Sequence, residues 1–372
     1  MNNPFIIFGY LSPDYFCDRK IETEKIISAL DNGRNITLLS LRRMGKTGLI
    51  YHVFHKLSEV KQDRLIYFDI MPTSNLNDFI REFSKAIVND EQKRSKNYLS
   101  KIKDLLTGLR GKLTFDQVTG TPGFEIEYHK PEESINDLLA IFQFLAKQKS
   151  KYIIAIDEFQ QITTYPERNI EALLRSYCQQ YNKNIKFVFS GSNKKILTSM
   201  FNQYGKPFYQ SSDIMNLGKI DRTEYADFIY LQFKGNQRIL EKELIYKVLD
   251  DLELYTFYVQ YFFNKLYGTQ ITNIDAILIN NVLLEILNER EGIYYSYKNF
   301  LTDNQFALVK AIAKEKKVSQ PTSSLFLKTY RLNQASSVNR SLQTLLDKEI
   351  IYKEDDYYSV YDLFFQKWLS KY

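Results

Sequence analysis

The sequence predicts an α/β domain with a parallel sheet, then an all-helical region, then a small domain of three short helices and a β-hairpin. Apolar runs of strand length alternate with helical patterns through residue 218. The strand pattern stops at Lys219, and a third pattern of short helices begins at Tyr297. We therefore expect three domains, comprising residues 1–218, 219–296 and 297–372.

The composition is that of a globular protein, with 44% hydrophobic and 25% charged residues among 372. No apolar run is long enough to span a membrane and no secretory leader pattern is present, so we expect a cytoplasmic protein without membrane contact. Two distant cysteines and three histidines indicate neither a disulfide framework, nor a zinc site, nor His-based catalysis. The net charge of +6 permits nucleic-acid contact without requiring it.

The first candidate site is Asn35–Ile50, NITLLSLRRMGKTGLI, which has the pattern of a strand, a loop and a helix. Backbone N–H groups of such a loop and of the helix N-terminus point into one concavity and can bind phosphate oxygens. We expect Lys46 to reach the β- and γ-phosphates of a nucleoside triphosphate and Thr47 to hold Mg²⁺. The predicted phosphate-binding residues are Ser40, Arg42, Arg43, Met44, Gly45, Lys46, Thr47 and Gly48.

Ser40 stands where the pattern G-x-x-x-x-G-K-[ST] has its first glycine, so a Cβ occupies a position where a tight turn prefers none. The alternative interpretation is a chance Gly-Lys-Thr at an ordinary helix start. Upstream, Tyr15 and Phe16 precede a predicted helix, Lys20–Leu30. Either ring could stack on adenine, and core packing is the alternative.

The chain between the two candidate sites continues the β-α-β rhythm. A strand is predicted at Arg64–Ile70 and helices at Asn77–Val88 and Ser134–Gln148. Between Lys93 and Lys112 there are seven basic residues and one acid, a solvated helix face or a phosphate-backbone contact. Alternation across Lys112–Tyr128 predicts an inserted hairpin.

The second candidate site follows the apolar run Tyr152–Ile156, which is typical of a strand buried on both faces. We expect Asp157 at the end of this strand to bind Mg²⁺ through water beside Thr47. The adjacent Glu158 would polarise the attacking water. An acidic pair is also common at a helix start, which is the alternative interpretation.

A third buried strand is predicted at Ile185–Ser190, and a last one at Ile214–Leu217. Because ligands bind at the carboxyl edge of a parallel sheet, Ser192 and Asn193 are candidates for sensing the γ-phosphate or positioning water. A helix N-cap is the equally weighted alternative.

Helical runs follow Lys219 and predict a lid over the nucleotide. The last part has the winged-helix pattern, with a wing at Ile350–Val360 and helices at Phe306–Ile312, Ser323–Thr329 and Ala335–Leu346. Residues 301–372 contain eleven basic and eight acidic side chains, so DNA binding and protein docking both stay open for this domain.

The chain resembles the archaeal-type ATPases, P-loop proteins allied to AAA+ and STAND NTPases. The resemblance lies in Arg42-Arg43-Met44-Gly45-Lys46-Thr47, in Ile-Asp-Glu-Phe at 156–159, in Ser-Gly-Ser at 190–192 and in Phe16-Cys17-Asp18-Arg19. It implies a P-loop NTPase (AAA+-like) parallel-sheet domain, an all-helical lid and a winged-helix domain. It also implies ATP and Mg²⁺ as cofactors.

Two positions depart from the family pattern. Leu254-Tyr255-Thr256 replaces a Gly-x-Pro motif, and Lys206–Ser212 has no arginine. Two hypotheses follow: hydrolysis coupled to action on DNA or a protein partner, with possible ATP-dependent homo-oligomers, or a STAND-like nucleotide-gated switch with little turnover. Glu158 favours the first hypothesis, and the absence of an evident arginine finger favours the second, although that role stays open for Arg42, Arg43, Arg168 and Arg175.

Overall fold

The structure is a computed structural model that describes residues 3–61, 63–94, 98, 102, 103, 105, 112–115, 122–125 and 131–371. The chain forms two compact units. The first, Phe8–Asp221, is called the sheet unit. The second consists of the N-terminal residues up to Ile7 together with Arg222–Tyr372, and is called the helical unit. None of the described helices combines the length and the apolar character that crossing a bilayer requires.

The sheet unit is built on five parallel strands in the order β2-β5-β6-β1-β7. The three central strands β5, β6 and β1 are almost continuously buried, as their apolar sequences predict. The predicted parallel sheet is therefore confirmed. The strands of the sheet unit are β1 (Ile36–Leu39), β2 (Arg64–Asp69), β3 (Lys112–Phe115), β4 (Pro122–Glu125), β5 (Tyr152–Asp157), β6 (Ile185–Gly191) and β7 (Asp213–Asn216).

The core between sheet and helices is rich in phenylalanine. Phe68 stacks on Phe83 with ring centroids 4.9 Å apart, and Phe187 stacks on Phe189 at 5.5 Å. The helices that cover the sheet are α1 (Lys20–Asp31), α2 (Lys46–Val60), α3 (Leu76–Arg94), α4 (Pro131–Lys147), α5 (Ile170–Gln180) and α6 (Lys194–Asn202).

Helix α3 is six residues longer at its C-terminal end than its apolar spacing predicts. Its last turns are held by charge, since Arg64 of β2 forms ion pairs with Asp90 and, at 2.8 Å, with the buried Glu91. A search for apolar periodicity does not detect such an anchor. Helix α5 is a further element that the sequence did not predict.

The predicted hairpin is confirmed by antiparallel pairing of β3 with β4. Its connecting residues 116–121 lie outside the described residues. The same holds for most of the basic segment Lys93–Lys112, so both predictions for it, a solvated helix face and a phosphate-backbone contact, fall largely outside the described residues.

The helical unit begins with α7 (Arg222–Gly235), α8 (Lys242–Asp251), α9 (Thr256–Gly268), α10 (Ala276–Glu289) and α11 (Glu291–Phe300). At the turn before α9, Glu253 and Leu254 both have positive φ, 50° and 56°. Left-handed backbone favours glycine. Leu254 therefore adopts a backbone conformation that is uncommon for leucine.

The winged-helix domain lies in the same unit. It comprises α12 (Asp303–Glu315), α13 (Ser324–Thr329), α14 (Ala335–Asp347), a wing of β8 (Ile351–Glu354) and β9 (Tyr357–Val360), and α15 (Leu363–Lys371). Helix α15 was not predicted. It buries Phe364, Phe365 and Trp368 and is only nine residues long, so it offers too few turns for its apolar spacing to be recognised in the sequence.

Candidate functional site

The loop between β1 and α2 has the geometry of an anion site. Arg43 and Gly45 both have positive φ, 69° and 87°, and no side chain caps the first turn of α2. Left-handed residues in a turn direct successive N–H groups to one side, and the first N–H groups of a helix lack intrahelical partners. The loop thus offers backbone donors and the positive end of a helix dipole to a phosphate.

Lys46 opens α2 and points back over this loop. Its ammonium donates to Oγ of Ser40 at 3.1 Å and to the carbonyl oxygen of Leu41 at 3.4 Å. Only 7% of Lys46 is exposed, and burial lowers its pKa, although the charges of Asp157 and Glu158 oppose that shift. A buried cation held by neutral oxygens can form a strong ion pair with an incoming phosphate.

Ser40 replaces the first glycine without strain. It is fully buried and is not among the residues with positive φ, so its Cβ meets no backbone penalty. Its hydroxyl donates to the Leu41 carbonyl oxygen at 2.8 Å while it accepts from Lys46. The serine therefore supports the loop and the lysine.

Asp157 lies at the end of β5 and is 5% exposed. Its Oδ2 accepts hydrogen bonds from the hydroxyls of Thr47 at 3.0 Å and Tyr67 at 2.8 Å. Its Oδ1 accepts from the Ser190 hydroxyl at 2.5 Å and from the Glu158 amide at 3.0 Å. The carboxylate therefore lies against the Thr47 hydroxyl, and its predicted role in binding Mg²⁺ stays a prediction.

The donor set fits Mg²⁺. This ion usually binds one or two protein oxygens and takes its other ligands from water and phosphates. The Thr47 hydroxyl and the Asp157 carboxylate supply such oxygens next to the phosphate-binding loop. Within the described ranges no group of three or more His, Cys, Asp or Glu side chains could hold a metal alone. A site completed by a polyphosphate meets the requirement.

Glu158 follows with φ of 53°, a left-handed conformation that is uncommon for glutamate. Its Oε2 accepts from the Ser192 backbone N–H at 3.0 Å and from the Ser192 hydroxyl at 2.8 Å. Nε of Arg42 donates to the same hydroxyl at 3.2 Å. Ser192 therefore connects the second carboxylate to the phosphate-binding loop.

Asn193 differs from its neighbour, because its side-chain oxygen accepts from the Ile196 N–H at 3.1 Å and caps α6. That is the alternative interpretation from the sequence. Of the two candidates for γ-phosphate sensing, Ser192 contacts the acidic pair and Asn193 is used as a helix cap. The sensing role itself stays a prediction for both.

Phe16 lies beside the first turn of α2. Its Cε2 is 3.6 Å from where a Cβ would stand on Gly48, and its ring stacks on His52 at 4.2 Å. Burial, with positive charge from Lys56 and His55, lowers the pKa of His52 to about 4. Tyr15 is half-buried at the end of a short 3-10 helix. Stacking of either ring on adenine stays a prediction.

Arg19 is a functional candidate that only the family resemblance indicated. It is 3% exposed with φ of 64°, and NH2 donates to the carbonyl oxygens of Met44 at 3.3 Å and Gly218 at 2.8 Å. It thereby ties the phosphate-binding loop to the chain after β7. No feature of the local sequence reveals this contact.

Sequence reasoning also missed Tyr67, Ser190, Asp69 and Gln160. Asp69 ends β2 in register with Asp157, and its pKa is raised by burial and by the charges of Asp157 and Glu158. Polar residues at strand ends were the available signal for Asp69 and Ser190. Of the predicted arginine-finger candidates, Arg168 is exposed and Arg175 donates to Gln179 on its own helix at 2.6 Å.

Comparison with known proteins supports the fold. Residues 292–371 match a family model described as a probable winged helix domain. The Walker-type ATPase paby2304 of Pyrococcus abyssi superposes with a TM-score of 0.65 at 16% identity, covering 98% of this chain and 99% of that one. No curated protein matches.

Two ORC proteins of Aeropyrum pernix give similar results. The ORC2 protein of Aeropyrum pernix, solved as ADPNP-ADP complexes, has a TM-score of 0.60 at 14% identity, covering 99% of this chain and 96% of that one. The ORC1 protein of the same organism, solved in complex with DNA, has a TM-score of 0.53 at 12% identity, covering 96% and 94%. The chain has the AAA+-like P-loop NTPase fold with a C-terminal winged helix, which confirms the predicted fold class.

Proposed function

We propose that this protein binds ATP with Mg²⁺, hydrolyses it, and couples the nucleotide state to its helical and winged-helix domains. The observation that supports this most directly is the meeting of three groups at one sheet edge: the uncapped start of α2, the buried Lys46, and Thr47 against Asp157. Each of these groups has a role in binding a complex of a metal ion with a polyphosphate, and this function accounts for all three together.

Binding of the triphosphate rests on the loop and on two cations. The N–H groups around Met44 to Thr47 solvate phosphate oxygens, and Lys46 exchanges its contacts to Ser40 and Leu41 for the β- and γ-phosphates. The second cation is Arg42, which donates to the Ser192 hydroxyl and would contact the γ-phosphate from there. Phe16 is our candidate for the adenine contact.

Thr47 and Asp157 would hold Mg²⁺, which when bound supplies positive charge to the phosphates during transfer. Tyr67 and Ser190 keep the Asp157 carboxylate in place by donating to its two oxygens. Glu158 polarises the attacking water, since it is adjacent to the metal-binding carboxylate but hydrogen-bonded in another direction.

The winged helix is proposed to contact DNA or a protein partner. The exposed face of α14 presents polar side chains suited to phosphate and base edges, namely Ser336, Asn339, Arg340 and Gln343. The acidic wing tip, Asp355-Asp356, would oppose DNA. We expect duplex DNA to raise ATP turnover if DNA is the partner, and Arg340→Ala to reduce that stimulation.

The test is ATP binding and phosphate release for the wild type, Lys46→Ala and Glu158→Gln. Lys46→Ala should abolish Mg-ATP binding, whereas Glu158→Gln should bind ATP normally and lose turnover by about 100-fold or more. Lys56→Ala is the matched control, because Lys56 lies on the same helix and pairs with Glu59 at the surface.

Three results would change the proposal. Unaltered ATP binding in Lys46→Ala would refute it. Tight binding with negligible turnover in the wild type would support the STAND-like switch instead. Sizing with and without ATP would reveal nucleotide-dependent homo-oligomers, in which a neighbouring subunit could supply the arginine finger.

A further inference from the structure

Gln160 is a buried amide directly after the acidic pair. It is 8% exposed, and its Nε2 donates to Oε2 of Glu158 at 2.5 Å. Its Oε1 is buried and accepts no hydrogen bond from any described residue. Burying an unpartnered amide oxygen is unfavourable, so the placement of this side chain needs a reason beyond packing.

The neighbouring strand leaves room for that amide. A Cβ added to Gly191 would stand 2.0 Å from Oε1 of Gln160 and 2.7 Å from Cδ1 of Leu197. Glycine at position 191 has negative φ, so its conformation does not require glycine. The absence of a side chain at Gly191 in β6 therefore leaves the space that the Gln160 amide occupies.

Gln160 and Ser192 act on the same oxygen. Oε2 of Glu158 accepts three hydrogen bonds, one from Nε2 of Gln160 and two from Ser192. Within the described residues no donor contacts the other oxygen, Oε1. A carboxylate fixed in this way has one anchored oxygen and one that is available to a water molecule.

We infer that Gln160 is a positioning residue, which with Ser192 anchors Oε2 of Glu158 so that Oε1 accepts the proton of the attacking water. This inference rests on the proposed ATP hydrolysis. In that step the water oxygen bonds to the γ-phosphorus, the bond from that phosphorus to the ADP oxygen breaks, and the water proton passes to Oε1.

The experiment compares Gln160→Ala with Gln161→Ala, and it measures kcat, KM and ATP affinity. Gln161 is a matched control, because it is the next residue in the same 3-10 helix and donates to the Thr73 carbonyl oxygen at 2.9 Å. Gln160→Ala should lower kcat about tenfold or more with unchanged ATP affinity, since it releases the base without touching the phosphate site. Gln161→Ala should leave kcat unchanged.

The split between kcat and KM separates positioning from mere structure. Loss of a positioned base lowers kcat and leaves KM and ATP affinity unchanged, whereas a structural defect at the nucleotide site would also change ATP affinity. Should Gln160→Ala fail to fold, Gln160→Met keeps the side-chain volume without the amide and serves instead.

Two results would overturn the inference. One is wild-type kcat in Gln160→Ala or Gln160→Met. The other is ATP binding without turnover in the wild-type chain, which would leave nucleotide binding intact but give Gln160 no base to position. Failure of the wild type to bind ATP at all would instead refute the proposed function.

Discussion

The Thr47 hydroxyl donates to Oδ2 of Asp157 across 3.0 Å, joining residues 110 positions apart in the chain. The strands before them, β1 and β5, are not neighbours, because β6 lies between them. Ser190 on β6 fills that gap and donates to the other oxygen, Oδ1. The parallel order of the sheet is thus what brings the two predicted metal-binding residues together.

Thr47→Val should remove the magnesium dependence of ATP binding. Valine keeps the shape of threonine and deletes the hydroxyl, while Asp157 retains its contacts to Tyr67 and Ser190 and the fold is preserved. We expect Mg-ATP affinity to fall about tenfold or more towards the value measured in EDTA. Thr47→Ser keeps the hydroxyl and should behave like the wild type. Equal affinity with and without Mg²⁺ in the wild type would contradict the assignment.

The sheet was predictable because its three central strands are mostly apolar. The strand Tyr152–Asp157 is apolar up to its last residue, which is charged. This change from apolar to acidic residues indicated both the end of the strand and the acidic pair. The turn from β1 into α2 was likewise predictable from a local pattern of glycine, lysine and threonine. Boundaries were less accurate where charge holds a helix in place, as Arg64 does for Glu91 at the end of α3.

The supporting side chains could not be predicted, because their partners are distant in sequence. Tyr67 contacts Asp157 from another strand, and Arg19 contacts Gly218 from the opposite end of the unit's sequence. Gln160 is close in sequence to Glu158, but its role depends on the empty position at Gly191 in β6. Such contacts follow from strand order, which the sequence did not specify.

Arg19→Met should loosen the phosphate-binding loop. The variant leaves the carbonyl oxygens of Met44 and Gly218 without the buried guanidinium that donates to them. We expect a loss of about 2–3 kcal/mol in the free energy of unfolding, in the range for hydrogen bonds to a charged group, together with weaker ATP binding. Urea unfolding and ATP titration measure the two effects.

Lys20→Met is the matched control for this variant, since Lys20 is the next residue and is exposed. It should change neither quantity. If Arg19→Met lost stability but bound ATP like the wild type, the arginine would support the fold without positioning the loop.

His52 should make the protein less stable at mildly acidic pH. Its pKa in the folded chain is lowered to about 4, against an ordinary value of 6.5. In the unfolded chain, His52 therefore takes up a proton as the pH falls through 6.5. In the folded chain, the His52 side chain stays neutral until the pH reaches about 4. The free energy of unfolding accordingly decreases over this interval, by about 2 kcal/mol between pH 7 and pH 5.

Urea unfolding of the wild type and His52→Gln at both pH values tests this effect. Other groups titrate equally in the two proteins, so the difference between their pH dependences reports His52. Glutamine can keep a hydrogen bond to the Tyr10 hydroxyl, which lies 3.0 Å from Nδ1 of His52. Identical pH dependence in the two proteins would show that His52 titrates normally in the fold.

Phe5 connects the N-terminus to the helical unit. Its ring is fully buried among aromatic side chains, with centroid distances of 5.6 Å to Phe233 and Phe263. Asn264 fixes the adjacent backbone, because its Nδ2 donates to the Phe5 carbonyl oxygen at 2.6 Å while its own carbonyl oxygen accepts from Asn3 at 2.8 Å. The first residues of the chain therefore belong to a domain that otherwise begins at Arg222.

Phe5→Ala should destabilise the helical unit by about 3–5 kcal/mol, the usual cost of removing a buried phenylalanine. Phe8→Ala is the control, since 82% of Phe8 is exposed and its removal should cost less than about 0.5 kcal/mol. Urea unfolding followed by tryptophan fluorescence reports this unit selectively, because Trp368 of α15 is the sole tryptophan. A fluorescence midpoint that is the same in both variants would mean that Phe5 does not contribute to the core of the helical unit. A lower midpoint in Phe5→Ala alone would show that the N-terminal residues are needed for the stability of a unit more than 200 positions away in sequence.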